Sequence, residues 1–543
     1  MSGQTLINDT ALKKIFSADI RSLALMRVAI GVLVLYDLFD RLRDLTAHYT
    51  DLGILPRSTY FKLFSDPWWI SFHLAGGAWG FELILFSIHI ACAIAFLFGY
   101  RTKLSTFLTW IFYVSLQWRN IYIGQGGDTL LRMILLWSIF MPMGACFSID
   151  RIRNPLSNKL PTNVLTIGTI AYYVQIILMY LCTATLKVGK EWFQENSAVA
   201  YALQIDQFAR PIGVWLRQAP AEVLEFLTQT TMIWEYFAPI LLLCPFFFGP
   251  LRTFIVFGFL ALHAGFIATL AVGIFPFIAA VAMFGMLPNW FWDTLAKKII
   301  CRREDGVDLL LTRTWPIESP LKKIGVFTKL LSVKVPISIQ NSIAQRLCAF
   351  LLLILTILYN IETLTLAPFI PNQIRWITVF AHIDQSWLMF APSPMKFDGW
   401  EILEGTLEDG ERIDLMRDLT KLENKIPVNW EKPDKIYSLY FRQRWRQYFV
   451  LTRSAGRVGH RVALAEYICR TWNAKHSNGD RLLHIDWHYM LEETKFPLEL
   501  MKIEPTLLLD HDCETTQKTT PVIVHEEARP QNVSPNLKSG TQK

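Results

Sequence analysis

The chain has 543 residues, of which 52% are apolar and 18% charged, against about 25% charged in an ordinary soluble protein. The deficit is concentrated in the first two thirds and excludes an ordinary soluble domain over that stretch. The formal charge of +7 arises from basic residues beside apolar runs, not from one basic stripe, which argues against a nucleic-acid partner.

Residues 1–21 are polar and lack the apolar core of a cleavable signal, so they read as a cytoplasmic N-terminal segment. A spanning helix needs about 20 mostly apolar residues. Candidate spans follow at 22–39, 78–99, 104–118, 129–146, 164–186, 223–247, 252–270, 272–288 and 345–366. The expected fold is an all-α polytopic membrane bundle of about nine transmembrane helices, followed by a C-terminal α+β extramembrane domain. The divisions are a bundle over 22–290, a basic cytoplasmic connection over 291–344 and a last span over 345–366. A non-cytoplasmic α+β domain over 367–513 and a polar, disordered tail over 514–543 complete the chain. Lys13, Lys14, Arg21, Arg101, Lys103, Arg151 and Arg153, with the stretch from Lys297 to Arg346, fall on the side of the N-terminus. That bias predicts a cytoplasmic N-terminus in the cell (inner) membrane and an outer domain outside the cytoplasm.

Within the outer domain, Glu401–Leu407 and Glu411–Leu415 flank Asp409-Gly410 and predict a β-hairpin. Helical spacing between Arg442 and Trp472 predicts two helices, and the alternation from His484 to Leu491 predicts a strand. The eight cysteines include no CxxC or Cys/His metal spacing. Cys469 and Cys513 alone lie in the soluble part, where one disulfide is open to them. His484 and His488 share a face of the expected strand but stand too far apart to chelate readily, so no metal is predicted.

Ionisable groups inside spans are costly and usually pair or line a cavity. Lys187 falls at the outer end of the fifth span, Glu235 within the sixth and His263 just past the middle of the seventh. Asn120 and Gly124–Asp128 form the outer connection before the fourth span, and Arg132 follows Asp128 by one helical turn, in reach of an ion pair. All of these fall in the outer half of the bilayer and predict a polar cavity opening toward the outer domain. Structural roles compete: Asp128 with Arg132, and Asp37 with Arg41, as plain ion pairs; Glu235 and His263 as interhelical glue. Arg27 is expected to extend to water at the cytoplasmic end of the first span.

Several blocks recur in a fixed order. Arg27 to Pro56 contains Tyr36-Asp37, Arg41 and Tyr49-Thr-Asp-Leu-Gly-Ile-Leu-Pro56. Trp118-Arg-Asn120 precedes Gly126-Gly-Asp128, Leu131-Arg132 and Phe147-Ser-Ile-Asp150. Then come Leu186-Lys187-Val-Gly-Lys-Glu-Trp192, His263 with Gly273-Ile-Phe275, and, beyond the spans, Trp387-Leu-Met-Phe-Ala391. Over about residues 21 to 290 this pattern resembles the horizontally transferred transmembrane (HTTM) family, which includes vitamin K-dependent γ-carboxylase.

The resemblance implies that Lys187 is a base toward a reduced quinone and that Asn120 and His263 are catalytic residues beside it. Glu235, Asp128 and Arg132 are then candidate substrate- or cofactor-binding residues. It further implies a vitamin K-like quinol as cofactor, with membrane lipid and an exported peptide or protein as partners. A lysine suits the first deprotonation because burial disfavours its charged form. Ile121 stands where the carboxylase has a histidine, Leu186-Lys187 where it has a lysine pair, and Pro142-Met-Gly-Ala145 replaces an Asp-Ala-Asn-His segment. The expectation is therefore a related quinol- or lipid-dependent carboxylase-like enzyme. The competing readings are a non-enzymatic membrane scaffold or export/maturation factor and, behind these, a secondary transporter.

Overall fold

Each apolar run read as a span forms a helix over most of its length. The computed structural model describes residues 12–64, 66–153, 161–300, 341–477, 479–495, 503–514 and 519–521. In chain order the principal helices are α1 (Ile20–Leu42), α2 (Trp79–Phe98), α3 (Thr102–Arg119), α4 (Gly126–Ser138) and α5 (Ile167–Leu186). They continue with α6 (Ala221–Leu241), α7 (Phe248–Thr269), α8 (Phe275–Phe284), α9 (Asn289–Ile300) and α10 (Ile343–Thr365). Local chemistry sets several ends. The Asp19 carboxylate caps the start of α1, capping boxes open α5 (Thr166 with Thr169) and α10 (Ser342 with Gln345), and Gly99 in the left-handed region closes α2.

Five helices, α1, α2, α5, α7 and α10, are long and apolar enough to cross a membrane, and the bent pair α8–α9 would make a sixth. The other three expected spans fall short of that test. α4 has only 13 residues, about 20 Å of helix. α3 is interrupted by Ser, Thr and Gln, and α6 carries three glutamates. α2 and α7 leave Ile84, Ile88, Phe254 and Phe257 uncovered, as helices facing lipid can.

α5 packs against α4, α6 and α10, while α4 also touches α3 and α8. These two helices form the centre of the bundle, and their polar groups must therefore find partners inside the protein. Arg27, expected to extend to water, is instead fully buried. Its guanidinium donates to the carbonyls of Met143, Cys146 and Phe147, in the turns after α4. The close packing of α1 on that irregular stretch leaves no path to solvent, and the unpaired carbonyls there take the place of water.

The C-terminal domain is α+β. Strands β1 (Ala18–Asp19) and β2 (Asn163–Val164) pair at the opposite, N-terminal end of the bundle. The domain itself has β3 (Phe397–Leu407), β4 (Arg412–Asp414), β5 (Leu482–Glu493), β6 (Glu504–Asp512) and β7 (Thr519–Pro521), antiparallel in the order β4-β3-β5-β6-β7. The expected hairpin joins β3 to β4, with Gly410 at φ +86° in its turn. The two expected helices are α12 (Gln443–Thr452) and α13 (Val458–Asn473), after the short α11 (Asn372–Phe380). Trp400, Trp445, Trp472 and Trp487 fill the core between helices and sheet. Cys469 and Cys513 form a disulfide that ties α13 to the end of β6. Within the segment read as a disordered tail, Thr519–Pro521 adds an edge strand; most of the remainder lies outside the described residues.

Several polar contacts seat this domain on the bundle, two of them deeply buried. Arg444 of α12 reaches Asp128 at 2.9 Å and also Asp37, and Arg41 bridges the same two carboxylates at 2.8 Å. Asp128 therefore pairs with Arg41 and Arg444 and not with Arg132. Arg132 turns to Gln117 and to the carbonyls of His382 and Asp384. At the second contact, Gln207 donates from its backbone to Asp398 and from its side chain to the Gly399 carbonyl.

Asp398 is buried, and its second carboxylate oxygen meets no hydrogen-bond donor. Burial pushes its carboxyl up to about 7. The folded state then holds that proton more tightly than the unfolded chain, whose carboxyl titrates near 4. Stability contributed by the protonated form is lost as pH rises from about 4 through about 7. Thermal melts across this range are expected to show falling stability in the native chain and a flatter profile in Asp398→Asn. An equal slope in both would remove Asp398 as the cause.

Candidate functional site

Beneath the C-terminal domain, between it and the ends of α5, α6 and α7, lies a cavity of about 2330 Å³. Drug-sized ligand sites are usually about 300–1,000 Å³, so this chamber has room for a long amphiphile or for two ligands. Lys187, Glu235, His263, Asp128 and Arg132 all lie along its wall. Asn120 stands outside it. Its amide donates to the His48 carbonyl at 3.1 Å and accepts from Tyr122 N at 3.2 Å, so it ties the loop after α3 to the segment after α1.

Lys187 caps the C-terminal end of α5 and is 3% exposed. Its ammonium group pairs with Glu235 of α6 and lies 4.4 Å from the centre of the Trp192 ring. The C-terminal domain fixes this corner. Gly189 N donates to the Pro392 carbonyl at 3.0 Å, Trp192 Nε1 to the Phe390 carbonyl at 3.0 Å, and Lys396 pairs with Glu191 at 2.6 Å. His263 of α7 shares a 2.6 Å hydrogen bond between its Nε2 and Tyr180 Oη of α5. Its Nδ1 is buried without a partner, and so is Trp234 Nε1 of α6. Both residues line the chamber, and these two nitrogens are enclosed in its wall without a protein partner.

The chamber reaches the lipid-facing surface between α6 and α7. Thr230, Phe254, Ala261 and Gly265 line it and are exposed. At Gly258 an added Cβ would stand 1.9 Å from the Trp234 ring, so only glycine allows α7 to approach there. Nothing stands within 4 Å of a Cβ built on Gly265, two residues after His263 and beside the opening.

Asp128 and Arg132 line the chamber but have full sets of partners: Arg41, Arg444 and Tyr113 for the first, Gln117 and two carbonyls for the second. They hold the wall in place. Sequence reasoning missed Tyr180 and Trp234. Tyr180 precedes Lys187 by two helical turns on the same face, a spacing that could have found it; Trp234 carries no comparable signal beyond its position next to Glu235.

Residues 16–290 match the model of the HTTM domain. The chain belongs to the HTTM domain family. No curated protein and no solved structure gives a significant match. The HTTM region and its apolar helices make this a multi-pass integral membrane protein. Lys187, Glu235, His263, Tyr180 and Trp234 all belong to the HTTM region, whereas the domain that roofs the chamber follows it in sequence.

Elsewhere, His484 meets Asp512 at 2.7 Å and Asp486 and Asp510 at 3.3 Å; His484, Asp486 and Asp510 are the one metal-compatible grouping among the described residues. It sits on the partly exposed face of β5 and β6, away from the chamber lining. His488 is not part of it and packs against Trp430.

Proposed function

We propose that the chamber houses proton transfer from a lipid-soluble acid, with a reduced quinone as the substrate or cofactor class and Lys187 with Glu235 as the accepting unit. The observation that carries this reading is the ion pair itself, buried on the wall of a chamber open to the bilayer. A buried charge pair is costly and adds little net stability over well-packed apolar residues. Its position facing an open volume is what a reaction centre requires.

The residues suit a quinol. Its ring and chain would lie against walls formed by Leu227, Phe254, Leu262 and Phe266, beside His263 and the Lys187–Glu235 pair. When bound, it would supply an acidic hydroxyl and, with dioxygen as the oxidant, reducing electrons. The pair changes the role expected for Lys187. Whichever group carries the shared proton, one further proton can be taken up, so the acceptor is the dyad and not a lone amine. Tyr180 orients His263: when Tyr180 donates to Nε2, Nδ1 carries the hydrogen.

The reading places the C-terminal domain on the non-cytoplasmic side of the cell membrane. The Cys469–Cys513 disulfide supports that side, since such bonds persist in oxidising compartments. An exported peptide or protein would then meet the chamber from the domain side. Carbon dioxide fixation on such a substrate would in addition require that a carbon-bound proton leave it, the new carbon–carbon bond taking that position. Lipid extracted from purified full-length protein and identified by mass spectrometry is expected to contain a quinone in near-stoichiometric amount. Extracts matching the bulk membrane in composition would count against the proposal.

A further inference from the structure

The domain side of the chamber holds a second set of groups that the Lys187–Glu235 chemistry does not use. α13 has 16 residues, and its N-terminus carries neither a side-chain cap nor an acidic residue in its first turn. A single 3-10 turn, Ala455–Arg457, leads directly into it, and the helix dipole makes such an end attractive to anions. Gly456, Arg457 and His460, at and just before that end, line the chamber.

Arg457 has no carboxylate within salt-bridge distance among the described residues. Its guanidinium lies 5.5 Å from the Tyr122 ring centre and 3.5 Å from Tyr122 Oη. His460 is an independent sign. It is 7% exposed, touches the Tyr122 ring edge-on at 4.0 Å, and neither of its ring nitrogens meets a hydrogen-bond partner. Burial, with Arg457 adding to it, lowers its pKa to about 4. A neutral imidazole offers one N–H donor and one acceptor, and here both are enclosed behind the chamber wall, next to Arg457, with no side-chain partner. The nearby lining includes Lys62 and Asp66, both exposed.

The chamber joins this cationic end to the apolar opening between α6 and α7. A ligand matching both is an amphiphile with an anionic head. We propose that the N-terminus of α13, with Arg457 and His460, binds the phosphate-type oxyanion of a membrane lipid whose chains extend into the apolar part of the chamber. This site is separate from the proton chemistry at Lys187 and stands or falls without it.

The test measures binding to the full-length protein in a neutral detergent, by thermal shift, with two probes: inorganic phosphate and dihexanoyl phosphatidic acid. The phosphatidic acid is expected to stabilise the native chain saturably and inorganic phosphate to bind more weakly. Arg457→Gln should weaken phosphatidic acid binding about tenfold or more, the scale of a lost hydrogen bond to a charged group. Arg457→Lys should retain most of it, and Arg470→Gln, at the far end of α13, all of it. If Arg457→Gln melts early without ligand, Arg457→Lys and His460→Phe carry the comparison. Equal binding to native and Arg457→Gln protein would overturn the site. Equal affinity for both probes would overturn the lipid as its ligand.

Discussion

Arg444→Ala is expected to destabilise the full-length protein by about 3–5 kcal/mol, the usual cost of stripping one partner from a buried ion pair. Arg444 and the two carboxylates it meets, Asp37 and Asp128, are almost completely buried. Without the guanidinium, two negative charges are left with Arg41, Tyr49 and Tyr113 as the polar side chains that remain in the cluster. Arg444 also donates to the Ile123 carbonyl at 3.0 Å, so a backbone acceptor would be orphaned too. The same arginine is the domain's deepest ionic anchor in the bundle, and its loss should first loosen the roof of the chamber. Melting in detergent and protease sensitivity of the C-terminal domain measure this. Adding Asp128→Asn to Arg444→Ala should recover part of the loss, because one unmatched charge goes with it, and the two changes should be strongly non-additive. A single variant that melts like the native chain would mean that apolar packing alone holds the domain.

Local signals made much of the architecture readable. Apolar runs located the helices, Asp409-Gly410 located the hairpin, and alternation located β5. Where the expectations ran long, the punctuation was present but outweighed by the apolar count. Pro142 and Gly144 follow the end of α4, while Gly285 and Pro288 part α8 from α9. The site was legible as a set of costly residues but not as a set of partners. Lys187 and Glu235 stand 48 positions apart, and nothing local states how far α5 and α6 rotate toward one another. Asp128 meets Arg444 across 316 positions, and Arg132 meets the His382 carbonyl across 250. One-turn spacing suggested an Asp128–Arg132 pair, but tertiary packing gave each a better partner. Asn120 was drawn to the site by resemblance, while its own position, first in a tight turn after α3, commits it to capping that turn.

Lys187 and Glu235 together provide the sharpest test of a reaction centre, because stability and chemistry predict different outcomes for the same variants. Lys187→Ala leaves Glu235 buried without its cation, and an unmatched buried charge costs about 3–5 kcal/mol. Reduced activity in that variant alone would be ambiguous. Lys187→Met with Glu235→Gln removes both charges at nearly constant volume and is expected to melt close to the native chain, since apolar or neutral replacements of a buried pair are often neutral. If the dyad accepts the proton, the double variant should be folded yet lose about 10²–10⁴-fold in quinol consumption, the scale of general-base catalysis. Glu235→Gln alone should retain more activity than Lys187→Ala if the amine is the group facing substrate, and less if the carboxylate is. A scaffold in which the pair only fastens α5 to α6 predicts the same unstable single variant but a double variant that behaves as the native protein in every assay.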